Sequence, residues 1–334
     1  MMPVINSLKL IIPAVGLTLT LVSGAQRAAF AAEVADRPAN LALGEVPNAD
    51  QAVVRRGYVD SSLGQIHYQR VSPSEGSAHQ RPASAHPTDT PPPMYVLLHQ
   101  VPWSHVYYAR AQAALAQRGI HSIAFDTPGY GLSAKPASEP TIAEYASALR
   151  EAITRLELGR VMLVGHHTGA TLSVEIARQE SKDIVGLVLH GVPIYTADEA
   201  QARLSAPHWD QTLKADGTHL SDRWLALSNR VAGTPESLHW SVLSLFLAGE
   251  QEWFGHHAVF KYPMAESLRD LKVPAVVFTN RDDLLDFTLD RVKEIRPDWR
   301  YRRLDAKSSN MAFDQPQAWV EALVSATIGD QLKR

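Results

Sequence analysis

LVGHHTGA, residues 163–170, reads as a buried strand that breaks at a tight glycine turn and passes straight into a helix, with His167 at the apex. Gly165 and Gly169 flank that apex at the spacing that lets the backbone turn sharply and brings strand and helix close together. Such a turn lifts one side chain clear of the sheet. Here that side chain is an imidazole, and no hydroxyl stands in its place.

On either side of this turn, short apolar runs alternate with helical stretches, the pattern of a parallel sheet with crossover helices. Strands are expected at MYVLLH (94–99), HSIAFD (121–126), RVMLVGH (160–166), IVGLVLH (184–190), PAVVFT (274–279) and WRYRRL (299–304). Helices are expected over 106–118, 142–156, 170–179, 284–295 and 316–328. Upstream, RRGYVDSSLGQIHYQRV (55–71) alternates on both sides of Ser61 to Gly64 like a two-stranded hairpin. Between residues 192 and 272 the alternation gives way to a helical stretch containing Trp209, Trp224, Trp240 and Trp253, which reads as an insertion covering one end of the sheet.

Ligands of open parallel sheets bind beyond the carboxyl ends of the strands. Four of those ends are polar or glycine-rich, and three carry recognisable patterns. Gly165-His166-His167-Thr168-Gly169 has the G-x-nucleophile-x-G spacing; Asp126-Thr127-Pro128-Gly129-Tyr130-Gly131-Leu132-Ser133 fits D-x-P-G-x-G-x-S about forty residues earlier; His99-Gln100-Val101-Pro102 is close to H-G-x-P. Across roughly residues 53–330 the chain therefore resembles the α/β-hydrolase superfamily. The resemblance implies an α/β-hydrolase fold: a mostly parallel central sheet flanked by helices, with a helical cap insertion. It also implies an oxyanion hole made by the amides of Val101 and Thr168. The implied division is a first part of the core over 51–192, a cap over 193–268 and a second part of the core over 269–334.

The departures from the family pattern are as informative. The apex is His167 where the family has Ser, Asp or Cys. Ser308, Ser309 and Asn310 stand where the family's catalytic histidine would fall, ahead of Asp314 and Pro316. The acid loop remains in VVFTNRDDLLD (276–286), with Asp283 the match to the triad acid and Asp282 one residue away. The expectation is a His167–Asp283 dyad, in which the carboxylate orients the imidazole as a general base beneath the oxyanion hole. Gln100, Trp103 and His166 are expected to contact substrate, with packing or turn hydrogen bonding the other reading of His166, and Asp126 to tie the glycine loop together.

Such a dyad would activate water against an ester, lactone or amide, or remove a proton in cofactor-independent lyase or isomerase chemistry. A further alternative is a binding protein that has kept the pocket and lost the reaction. In a second catalytic scheme the missing base comes from the insertion, through His208, His219, His239, His256 or His257. No metal site is expected, because the His166-His167 and His256-His257 pairs are adjacent residues, which seldom point at one ion. No cofactor is expected.

Lys and Arg total 32 against 35 Asp and Glu, with no basic block, which argues against nucleic acid or anionic lipid and for a small neutral or weakly charged ligand. The start of the chain has Lys9, an apolar run from Leu10 to Val22 and then small residues, with Ala29-Phe30-Ala31 or Ser23 to Ala25 as cleavage sites. Residues 1–31 are therefore expected to be a signal peptide, and the mature protein to be periplasmic or secreted without stable membrane association. Residues 32–50 are expected to form a flexible lead-in. There are no cysteines, which excludes disulfides and thiolate chemistry. Residues 71–93 carry six prolines and read as a surface loop.

Overall fold

In this computed structural model of the protein, residues 52–74 and 92–327 are described. The expected leader, cleavage sites and lead-in lie outside them, as do residues 75–91 of the proline-rich loop and 328–334 at the end. Among the described residues no helix is long and apolar enough to cross a membrane.

Eight strands form one sheet in the order β1-β2-β4-β3-β5-β6-β7-β8. They are β1 (Ala52–Ser61), β2 (Gly64–Pro73), β3 (Met94–Leu98), β4 (Ser122–Phe125), β5 (Val161–His166), β6 (Ile184–His190), β7 (Ala275–Asn280) and β8 (Arg300–Leu304). β1 and β2 form the hairpin, and β2 runs antiparallel to β4; every later pairing is parallel. Because β2 continues to Pro73, the irregular segment begins later than the composition shift at residue 71 suggests. Pro73 is tolerated as the last residue of β2 because the pairing with β4 covers only Tyr68–Val71.

The sheet separates two apolar layers, and strand periodicity assigns residues to them. Val96 and Leu98 of β3, Ile123 and Phe125 of β4 and Leu163 of β5 face the layer built on α2 (Ile142–Arg155) and α3 (Thr168–Gln179). Tyr95, Leu97, Ala124, Met162 and Val164, the alternate residues, face α1 (Ala109–Ala116) and the C-terminal helix (Pro316–Thr327), including buried Trp319. Burial on both faces explains why these strands read as unbroken apolar runs. α2 starts where the sequence predicts because Thr141 and Glu144 form a reciprocal capping box.

Between β6 and β7 come α4 (Ala197–Leu204), α5 (Thr218–Ser228), α6 (Pro235–Ala248), α7 (Glu252–Lys261) and α8 (Met264–Asp270). α8 belongs with the core: Met264 and Leu268 are buried in the same apolar layer as α3. Glu199 of α4 takes a bidentate pair from Arg291 at 2.6 and 2.8 Å, which fastens the start of the insertion to α9 (Leu289–Ile295) of the core.

Candidate active site

His167 has φ 49° and ψ −110°, a left-handed conformation that is strained for any residue but glycine. The turn is held by crowding on both sides. A Cβ on Gly165 would lie 2.1 Å from the carbonyl oxygen of Gly169, and one on Gly169 would lie 1.9 Å from that of Leu98. Only hydrogen fits at either position, so the glycine spacing is a steric requirement of the strand-turn-helix.

From this apex the imidazole reaches the loop after β7, where Nε2 of His167 is 2.9 Å from Oδ1 of Asp283. Gly191, directly after β6 and at φ +62°, makes room for the pair: a Cβ there would fall 2.7 Å from Nε2 of His167 and 3.0 Å from Oδ1 of Asp283. Asp283 is fully buried, and Oδ1 also accepts from the Leu285 amide at 2.6 Å. Burial alone would raise its carboxyl, but the attraction of the neighbouring His167 ring and the hydrogen bonds from His166 and His167 outweigh this and hold it well below the usual carboxylate range. Asp282 is the half-buried neighbour, and its carbonyl accepts from the Ser309 hydroxyl at 2.6 Å.

The structure corrects the expected role of His166. It is 1% exposed and does not line the cavity above the site. As the last residue of β5 it falls on the same face as Met162 and Val164, so it points into the layer of α1 and not toward ligand. There it stacks on Tyr107, with ring centroids 5.2 Å apart, and Nε2 is 3.2 Å from Oδ2 of Asp283. Burial, then the neighbouring imidazoles, push its pKa well below the ordinary histidine value. Adjacent histidines therefore do converge on one carboxylate here, one from each side of the strand end.

A third imidazole completes the cluster. Nε2 of His190, at the end of β6, is 3.7 Å from Oδ2 of Asp283 and 3.0 Å from Oδ1 of Asn280. His190, Asn280, Gly191 and Tyr107 escape a search restricted to the family's motifs. The end of β6, HGVP (190–193), is a strand end like the others and carries the signal that would have found two of them.

Val101 lines the cavity above the strand ends, and Thr168 directly follows the apex. Thr168 opens α3, where first-turn amides have no intrahelical acceptor. Gln100 turns its side chain onto the third strand-end loop, donating from Nε2 to Oδ1 of Asn310 at 2.8 Å. Trp103 is buried against Tyr107 and Phe313. Ser308 donates to Asp314 and Ser309 to the Asp282 carbonyl. Neither hydroxyl is hydrogen-bonded to His167.

Asp126 anchors the glycine loop, as expected, and does more. It accepts from the Leu132 amide at 2.9 Å, from the His105 amide and ring, and from Nδ1 of His67 at 2.9 Å. The two buried groups with metal-ligand composition, His67–His105–Asp126 and His166–His190–Asp283, spend these ring and carboxylate atoms on one another or on Asn280.

A cavity of about 370 Å³ lies above the strand ends. Its floor includes Gln100, Val101, Trp103, Leu284, Ser309 and Asn310; its roof comes from α4, α5, α6 and α7. The side chain of His167 is 13% exposed and is not part of the lining of this cavity. Of the five histidines of the insertion, only His256 lines it. Burial lowers that imidazole to about 4, and the charge on His167 contributes. His208 and His257 instead pair with each other, Nε2 to Nε2 at 3.1 Å.

The fold and the elbow define the class, and the chain belongs to the α/β-hydrolase family: the profile described as alpha/beta hydrolase fold matches residues 93–305. An uncharacterized protein of Mycobacterium tuberculosis is 32% identical over 97 residues, which is 29% of this chain and 28% of that protein's length. The enol-lactonase from Burkholderia xenovorans LB400 superposes with a TM-score of 0.59 at 18% identity, covering 80% of this chain and 98% of that one. A hydrolase from Pseudomonas aeruginosa superposes at 0.63, also at 18% identity, covering 84% and 100%.

Proposed function

We propose that the protein is an exported hydrolase of small carbonyl compounds, esters, lactones or amides, in which His167 is the general base and Asp283 its orienting acid. The observation that carries this reading is the 2.9 Å contact between the two on a strained elbow beside a roofed cavity. With Asp283 ionised, Nε2 of His167 carries the proton toward Oδ1, and Nδ1 is left as the proton acceptor. With no hydroxyl bonded to the imidazole, water is the attacking group. Nδ1 takes a proton as the water oxygen adds to the carbonyl carbon, the Val101 and Thr168 amides receive the developing oxyanion, and the imidazolium, held by Asp283, returns the proton to the leaving oxygen or nitrogen.

The reading is supported by the family, whose structural neighbours include a lactonase and other hydrolases, and by the retained elbow, acid loop and oxyanion loop. Export rests on the apolar leader and the small residues after it. The decisive experiment is turnover of p-nitrophenyl esters and lactones by the purified mature protein, with His167→Ala and Asp283→Asn alongside. Undiminished turnover in both variants removes the dyad. Recovery of the protein in the periplasmic or culture fraction, beginning after residue 25 or 31, tests export.

A further inference from the structure

The cavity differs in charge from the chain as a whole. Three arginines of the insertion line it, Arg203, Arg223 and Arg230, against a single carboxylate, Glu252. Net charge over the whole sequence is −3, so this lining is a local concentration of positive groups. The expectation of a small neutral or weakly charged ligand rests on the chain average, which says nothing of one pocket.

Arg223 is the most informative of the three. It is 8% exposed, and its guanidinium stacks over Trp209 at 4.5 Å. Its nearest carboxylate oxygen, Oε1 of Glu252, is 3.8 Å away, beyond hydrogen-bond range. Nε of Arg223 and Oε2 of Glu252 are both buried without a partner. A guanidinium out of water with unfilled donors is costly, and a planar carboxylate is the group that fills its fork two bonds at a time. Arg230, exposed, makes no ion pair or hydrogen bond through its side chain among the described residues and adds to the field. Burial raises the Glu252 carboxyl to about 7, so at neutral pH it opposes an incoming anion only in part.

The floor presents a different chemistry. Gln100 donates to Oδ1 of Asn310, which leaves Nδ2 of Asn310 buried, unpartnered and facing no protein acceptor. It is a neutral donor on the same cavity as the arginines.

We infer that the cavity takes a carbonyl compound bearing a carboxylate of its own, the carboxylate held by Arg223 with Arg230 and Arg203, and a neutral oxygen held by Asn310. The carbonyl part rests on the hydrolase reading; the carboxylate part does not. Two measurements keep them apart. Hydrolysis of mono-p-nitrophenyl glutarate is compared with that of p-nitrophenyl pentanoate, and calorimetric binding of succinate, glutarate and adipate is compared with that of glutaramide. The wild-type protein should favour the charged ester by about tenfold or more in kcat/KM, the size of a hydrogen bond to a charged group. Arg223→Met should bring that ratio near unity and abolish dicarboxylate binding. Arg230→Gln, at an exposed position that tolerates substitution, should lower the ratio about twofold to fivefold and serves where Arg223→Met fails to fold. Dicarboxylate binding that depends on these arginines, without cleavage of either ester, upholds the inference and removes the hydrolase reading. Equal use of both esters with no dicarboxylate binding overturns the inference and leaves the hydrolase reading standing; absence of both cleavage and binding overturns it as well.

Discussion

Trp319 donates its indole N–H to Nδ1 of His190 across 3.3 Å, and that bond settles the histidine's protonation. The Ser308 carbonyl accepts from Nδ2 of Asn280 at 3.1 Å and so turns Oδ1 of Asn280 toward His190. Nε2 of His190 must then carry a proton, while Nδ1 must offer a lone pair to the indole. His190 is neutral, in agreement with the lowering of its pKa by burial. Trp319→Phe removes the donor and frees Nδ1 for a second proton next to Asp283. The variant should lose about 1–3 kcal/mol of stability from the missing hydrogen bond and thinner packing. Nitrogen NMR of the His190 ring should show its pKa rising; an unchanged titration would overturn this assignment.

Gly191 and Gly169 should respond differently to alanine. At Gly169 the added methyl meets the Leu98 carbonyl, which cannot move without parting β3 from α3, so Gly169→Ala is expected to yield no soluble folded protein. At Gly191 it meets the ring of His167, the far end of a side chain that can swing. The strain at φ +62° costs on the order of 1 kcal/mol. Gly191→Ala should therefore fold, with a modest drop in Tm by circular dichroism, and lose most of its activity because the His167–Asp283 contact is displaced.

His167 and Asp283 act on the same proton in the proposed mechanism, so their substitutions should not add. Each of His167→Ala and Asp283→Asn is expected to lower kcat by roughly 10²–10⁴-fold. The double variant should be little worse than the poorer single one. Multiplying losses would mean that the two residues contribute separately, and the dyad would fall.

The buried imidazoles set the acid stability. His99, His166, His190 and His256 all have folded pKa values below the free value of 6.5, with burial the leading cause in each. As pH falls through about 6.5 the unfolded chain takes up protons that the folded one refuses, and stability declines. Glu252 works the other way. Its folded value near 7 lies above the free 4.5, so the folded state binds the extra proton between these limits and gains stability as pH falls. Asp283, with its folded value depressed, stabilises above about 3.8 and loses that contribution as pH drops further. Four imidazoles outweigh one carboxyl, so Tm should fall between pH 7 and pH 5 and more steeply below pH 4. A flat profile from pH 7 to pH 5 would mean that the histidines are charged in the folded protein.

Much of the fold was legible because its signals are local. The six parallel-sheet runs lie within a residue or so of β3 to β8, since burial on both faces leaves an unbroken apolar string between polar turns. Helix α3 begins at Thr168, two residues before its expected start, because His167 itself serves as the N-cap and the glycine turn consumes no extra length. The contact between His167 and Asp283 was readable only because the resemblance placed their loops at the same edge of the sheet, after β5 and β7 on either side of β6. His190 and Trp319 were not readable that way. They join the cluster through the packing of the C-terminal helix against the sheet, and an apolar periodicity gives no sign that one indole nitrogen faces a ring nitrogen 129 residues earlier. His166 had two readings in the sequence, ligand contact and packing, and strand alternation turns it inward to the second. Likewise, the arginines of the insertion are scattered in sequence and meet only when α4 and α5 fold over one space.

Asp283 offers one oxygen to His167 and the other to His166. A proton arriving at either ring therefore changes the field felt by the other through the carboxylate between them. In the proposed mechanism, the ionisation that governs turnover would belong to the cluster as a whole rather than to one imidazole. Replacing His166, which never meets the ligand, should displace the acid limb of a rate profile as surely as a change at the apex. The rear of the strand end thereby tunes the chemistry in front of it.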